Sequence, residues 1–197
     1  MASPPPCRRI LHALVLGLGL VLGPRAEAFE LQLSLPPGSE ALDPSIRGAM
    51  LSAGLAADGE ATAQDIVAAA QADYRRILSA LYEEGHFGPV VSIRIDGREA
   101  ATLSPFEAPS RVSTLRVEVT PGPRFRFGRA ELAPLPSGAA PPESFRPGER
   151  ARLSVLRSAA RDGVRAWRDE GHAKAELAEQ RVVAAQPEAR LDASLRL

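Results

Sequence analysis

The residues in this chain whose types suit proton transfer or metal binding sit in two short runs, Glu83-Glu84-Gly85-His86 and Asp169-Glu170-Gly171-His172. A histidine beside carboxylates can act as a general acid or base, or hold a metal when further ligands converge on it. Adjacent carboxylates, however, point to different sides of a helix, which suits solvated surface charge. The two runs lie 86 residues apart, so each histidine belongs to its own half of the chain. Copies of one site in separate units are set apart by the repeat rather than brought together. The role expected for His86 and His172 is therefore structural, a cation-capable side chain just past a helix C-terminus, where the helix dipole favours positive charge.

Other chemistry is equally sparse. The sequence has no Gly-rich phosphate loop after a strand, no His-Glu-x-x-His helix, no acidic calcium loop and no cysteine cluster. No serine or threonine occupies a nucleophile elbow or a Ser-x-x-Lys context. The expectation is a protein that is not an enzyme and takes no metal or cofactor. Arg150, Arg157, Arg161 and Arg168 recur at helical spacing and could face lipid headgroups or an acidic partner. Asp162 and Asp169 among them favour a solvated face.

The elements that position these runs repeat as well. Leu81-Tyr82-Glu83-Glu84-Gly85-His86-Phe87 returns as Trp167-Arg168-Asp169-Glu170-Gly171-His172-Ala173. Upstream, Val67, Ala70, Tyr74, Leu78 and Leu81 match Leu153, Leu156, Ala160, Val164 and Trp167. Both series follow one face of an α-helix. Gly85 and Gly171 are placed to cap those helices in the left-handed conformation. Junction and face together define a repeated unit.

Residues 1–28 read as a secretory signal: Arg8-Arg9, an apolar run from Ile10 to Leu22, then Ala26-Glu27-Ala28. Cleavage is expected between Ala28 and Phe29. Cys7, the chain's single cysteine, would leave with it, so the mature protein must be held by core burial instead of disulfides. Its 21 basic and 23 acidic residues give a net charge of −2, which does not call for nucleic acid.

In the first unit, residues 29–122, Phe29, Leu31, Leu33 and Leu35 alternate as a strand, and Leu42, Ile46 and Met50 line a short helix opened by Asp43-Pro44. Thr62 and Asp65 form a capping box for the long helix that runs to Glu84. Strands follow at Val91 to Ile95 and Leu115 to Val119, with a loop from Asp96 to Arg111 between them. In the second unit, residues 123–197, Phe125 and Phe127 alternate and Ala130 and Leu132 continue one residue out of phase, the mark of a β-bulge beside Gly128. The stretch 134–147 offers Phe145 to the core and replaces the first helix by a turn. A helix from about Glu149 to Glu170, a strand near Ala173 to Val183 and a last strand through Leu191, Ala193, Leu195 and Leu197 complete it. The fold class expected is α+β: two tandem β-α-α-β-β units, each a small three-stranded sheet covered by helices.

This arrangement resembles the POTRA (polypeptide-transport-associated) domain, on the two junctions and on Val119-Thr120-Pro121-Gly122-Pro123-Arg124-Phe125-Arg126-Phe127-Gly128. That passage is similar to the Pro-Gly-x-x-aromatic-x-Phe-Gly connector between POTRA domains. With Asp96-Gly97-Arg98-Glu99-Ala100 and Ser104-Pro105, residues 29–197 resemble the amino-terminal half of the TamA family, outer-membrane members of translocation and assembly modules. The resemblance implies a periplasmic, outer-membrane-associated docking module. It implies as partners an inner-membrane-anchored TamB-like protein and nascent outer-membrane polypeptides, among them autotransporters. Contact would run along strand edges, here Val91, Ile93 and Ile95 in the first unit and Ala175 and Leu177 in the second. Gly85, Gly171, Pro121, Gly122 and Gly128 would be structural junctions. The chain departs from the family in lacking a further POTRA domain and the β-barrel, so the barrel's insertion activity is not assigned to it. The same unit occurs in two-partner secretion transporters and division proteins. A small periplasmic hydrolase or ligand binder is the alternative of another class, and it would show a concave pocket with convergent polar groups.

Overall fold

The computed structural model describes residues 29–104 and 108–197. The signal and its expected cleavage alanines, Ala26 and Ala28, lie outside the described residues, as do Pro105 and Phe106 of the loop. Two hydrophobic cores form around two sheets. The first buries Ile46, Val67, Ile77, Leu81, Ile93, Leu115 and Val117, and the second Phe125, Phe127, Phe145, Leu156, Leu191 and Leu195.

The first unit runs β1 (Glu30–Ser34), α1 (Asp43–Ala49), α2 (Leu51–Asp58), α3 (Ala63–Glu83), β2 (Val90–Ile95), β3 (Arg98–Glu99) and β4 (Thr114–Thr120). Its sheet order is β1-β4-β2-β3, with β1 parallel to β4 and the other pairs antiparallel. Four strands stand where three were expected. The fourth arises because Asp96 and Gly97, at φ 47° and 84°, make a two-residue turn that folds Arg98–Glu99 back onto Ile95 and Arg94.

The short helix of the first unit is two helices, broken at Met50, which is extended at ψ 130°. The cause lies on α3. Asp73, fully buried, accepts the Leu51 and Ser52 amides at 2.7 and 3.1 Å, together with the Ser52 hydroxyl. A carboxylate at the first turn of α2 satisfies amides that a continuous helix would have bonded internally. On α3 the Thr62–Asp65 capping box is complete: Asp65 N donates to Thr62 Oγ1 at 3.1 Å and Thr62 N to the Asp65 carboxylate. The Thr62 hydrogen bonds hold the Asp65 carboxyl below its usual range.

The second unit runs β5 (Arg126–Ala133), α4 (Leu153–Asp169), β6 (Glu179–Ala185) and β7 (Arg190–Arg196), in the order β5-β7-β6. Here too the first and last strands pair parallel and the middle one antiparallel. The register slips between Phe127 and Ala130 where β7 advances from Leu191 to Ala193, a β-bulge across Gly128 and Arg129. A Cβ on Gly128 would lie 2.0 Å from Arg190 Cδ, so a larger residue in the bulge would have to displace the Arg190 side chain.

The second long helix begins at Leu153, not near Glu149. Residues 148–151 instead run antiparallel to the start of β5: Gly148 N and Ala151 N donate to the Phe127 and Phe125 carbonyls, and Phe127 N to that of Glu149. Arg150 is therefore not on the helical arginine face.

Candidate functional site

The two junctions begin alike. After α3, Gly85 N donates to Tyr82 O and His86 N to Leu81 O; after α4, Gly171 N donates to Arg168 O and His172 N to Trp167 O. Gly85 and Gly171 sit at φ 89° and 94°. These are paired C-cap bonds that a positive-φ glycine permits.

Their surroundings differ completely. Around the first junction the following chain is packed tightly. Phe125 N donates to Gly85 O at 2.8 Å, and His86 Nδ1 lies 2.9 Å from Gly122 O. Phe87 stacks on Tyr82 with centroids 5.1 Å apart and meets the edge of Phe125 at 5.9 Å, so a first-unit ring joins the second core. A Cβ on Gly85 would lie 3.0 Å from Ala151 O, and one on Gly122 3.1 Å from Gly88 O. Glu83 reaches across to accept Ser154 N at 3.0 Å, capping α4 from the neighbouring unit. His86 is buried and Pro121 with it, which makes this a seam between units. His86 is buried at this seam, and among the described residues its Nε2 atom has no hydrogen-bond partner.

The second junction is open. Gly171, His172 and Ala173 are exposed, and a Cβ on Gly171 would meet nothing within 4 Å. Trp167 donates its indole N–H to Pro134 O at 2.8 Å and packs against His172 edge to face. Beside it lies a largely apolar groove of about 580 Å³, formed by Pro134, Trp167, Ala173, Ala175 and Leu197 with His172 and Lys174 at its rim.

The strand edges differ in the same sense. Val91, Ile93 and Ile95 do not form a bare edge. Ile93 and Ile95 are buried in the core, Val91 is half-buried, and β3 pairs with β2 at Arg94 and Ile95. Next along, Ile93 N points to the Tyr74 hydroxyl at 3.3 Å and the Glu99 carboxylate at 3.4 Å, while Tyr74 donates to Ile93 O at 3.2 Å. Glu99 also accepts the Ser92 hydroxyl and contacts the Tyr74 hydroxyl directly. Burial, followed by the hydrogen bond to Glu99, pushes the Tyr74 phenol up to about 12. Its hydrogen bond in turn holds the Glu99 carboxyl below its usual value. Sequence reading missed this closure, although the Asp96-Gly97 dipeptide carries a hairpin signal.

On the second sheet the bare strand is β6, but it starts at Glu179. Ala175 and Leu177 precede it. Residues 172–175 form a turn, with Ala175 N donating to His172 O and the Arg168 guanidinium bonding Ala175 O at 3.0 and 3.2 Å. That clamp holds the chain off the sheet until Ala178 N reaches Arg196 O. Leu177 turns toward the core instead. From Glu179 to Ala184 every β6 residue is exposed, Val182 and Val183 at 37% and 48%. By contrast β1 packs against α2, and the start of β5 is flanked by residues 149–151. Alongside α4 a groove of about 580 Å³ has apolar walls from Ala160, Val164 and Leu177 and a rim of Arg161, Arg165, Arg168 and Asp169.

Among the described residues no group of three or more His, Cys, Asp or Glu is placed to hold a metal ion, and no helix is long and apolar enough to cross a membrane. The described residues are α+β, two small mixed sheets of four and three strands with four α-helices. No family model matches the chain, and no curated protein matches it.

Proposed function

We propose that the chain is a periplasmic docking module of POTRA type, part of an outer-membrane assembly factor like those of the TamA family, that receives extended polypeptide along β6. The observation that carries this reading is the state of β6: one ladder partner and side chains exposed on both faces. An incoming strand would satisfy the unpaired backbone groups of β6 almost regardless of its sequence. The strand orders support the same reading, since in both units the first strand pairs parallel with the last and the middle strand lies outside it. Clients of this chemistry are nascent outer-membrane polypeptides, and a TamB-like protein would be the inner-membrane-anchored partner.

Amide hydrogen exchange tests the proposal with a strand-forming peptide from an outer-membrane protein. Protection gained across Glu179–Ala185, with β2 unchanged, is the expected result. Proline placed in turn at Val182 and Val183 gives an independent check. Successive backbone N–H groups face opposite sides of a strand, so one substitution removes an edge donor and the other weakens the pairing with β7. If neither abolishes peptide protection, or β6 gains none, strand addition at this edge is wrong.

A further inference from the structure

The α3 helix carries a second face besides the one it buries. Ala72, Arg75, Arg76, Ser79, Ala80 and Glu83 follow one another at alternating steps of three and one residues, so they share one side of the helix. That side opens into a groove of about 560 Å³, bounded by Ala49 of α1 and by Arg157 of α4. The groove therefore spans the seam, since α1 and α3 belong to the first unit and α4 to the second. Its one carboxylate is already engaged: Glu83 accepts Ser154 N at 3.0 Å. Among the described residues Arg75, Arg76 and Arg157 have neither an ion pair nor a hydrogen bond, and all three are exposed. Composition does not account for them. The first unit has 13 acidic side chains against 7 basic, enough to pair every arginine, as Arg47 is paired with Asp43 and Arg94 with Glu99.

We infer that this groove docks an acidic segment of a partner polypeptide, whose carboxylates pair with Arg75, Arg76 and Arg157. Like charges gathered without counter-ions repel one another, and carboxylates laid between them relieve that repulsion. Each guanidinium can meet a carboxylate with two parallel bonds. Half-buried Ala49, Ala72 and Ala80 give the occupant's backbone a floor free of competing polar side chains. A bilayer surface fits less well. None of the exposed large apolar residues, Leu51, Val90, Val182 and Val183, lines the groove, and no aromatic ring does, so it lacks an anchor for the headgroup region. Because arginines from both units hold one occupant, docking here also fastens α4 to α3. No residue of β6 takes part, so the site stands apart from strand addition.

The probe is a fluorescein-labelled peptide of sequence Glu-Asp-Ala-Glu-Asp-Ala-Glu-Asp, titrated with the whole protein while its anisotropy is read at low ionic strength. The expected result is saturable binding that weakens as salt rises. Arg157→Gln, and separately Arg75→Gln combined with Arg76→Gln, should each weaken it roughly tenfold or more, because each removes charge-assisted bonds. These positions are exposed, so circular dichroism stays unchanged. Arg146→Gln, at an exposed arginine outside the groove, should bind as the parent does. Proline at Val182 or Val183 should also leave binding intact, so failure of the strand-edge reading and failure of this one are told apart. The inference is overturned if the groove variants bind as tightly as the parent, if Arg146→Gln or the proline variants weaken binding equally, or if a peptide with Gln and Asn in place of Glu and Asp binds as well. It is also overturned if millimolar peptide does not bind while phosphatidylglycerol vesicles capture the protein, which would assign the arginines to a membrane surface.

Discussion

In the first unit the turn after α3 is covered by the chain that follows it, and the flank of β2 is occupied at Ile93 by Tyr74 and Glu99. In the second, the corresponding turn and the flank of β6 are both bare. Strand order and helix cap are shared, so the repeat supplies a scaffold and nothing more. What each unit can bind is decided by which polar backbone groups its own chain has already satisfied. Thus in the first unit these groups are satisfied at the seam with its neighbour, while among the described residues the turn after α4 and the outer edge of β6 are left exposed.

The sharpest way to break this contrast is to truncate the aromatic anchors. Phe125→Ala removes a fully buried ring from the seam and should cost about 3–5 kcal/mol in urea unfolding. Trp167→Ala, at a half-exposed ring with one hydrogen bond, should cost under about 2 kcal/mol. Equal losses would mean that the second junction is as covered as the first. Next come the glycines. Both Gly85→Ala and Gly171→Ala impose left-handed strain of about 1–2 kcal/mol. Only at Gly85 does the new Cβ also press on Ala151 O, at 3.0 Å, so its unfolding midpoint should fall further than that of the Gly171 variant.

Smaller still is the helix cap. Glu83→Ala uncovers the Ser154 amide and should lose about 1 kcal/mol. The equivalent Asp169→Ala, on an exposed residue, should stay within about 0.5 kcal/mol. The last difference is spectroscopic. Tyr74 should ionise only near pH 12, and Tyr74→Phe should delete that step from an ultraviolet titration. Because its folded value lies above the ordinary 10.0, this stabilisation is complete below pH 10 and is lost as pH rises toward 12. Glu99 works in the opposite direction: its depressed value stabilises the fold above the usual 4.5, and that contribution is lost as pH falls through the folded value.

Local signals made much of this architecture legible in the sequence. The Thr62–Asp65 box, the period of α3 and the phase slip at Gly128 each express bonding between residues close in the chain or alternation along one strand. The parts that stayed hidden depend on distant partners. Nothing near Met50 announces that Asp73 will split the helix there, and Glu99 gives no local hint that it will seal β2. Residues 149–151 have helix-compatible types but are drawn into extended pairing with Phe125 and Phe127. Ala175 and Leu177 alternate as a strand would, yet the Arg168 clamp on Ala175 keeps them out of the ladder. The two junctions share a Glu-Gly-His turn, yet the chain packed over the first leaves it buried and the second exposed.

The bulge at Gly128 and Arg129 also bears on how this chain can change in length. Phe127 and Leu132 face the core, although five residues apart, because one residue between them is supernumerary. Loss of Arg129 would leave Phe127, Ala130 and Leu132 in plain alternation, with every side still facing its proper way. The same loss within β7 would turn part of the Leu191, Ala193 and Leu195 row outward. β5 therefore carries slack that β7 lacks, and a shortened relative of this fold would shed its residue there first.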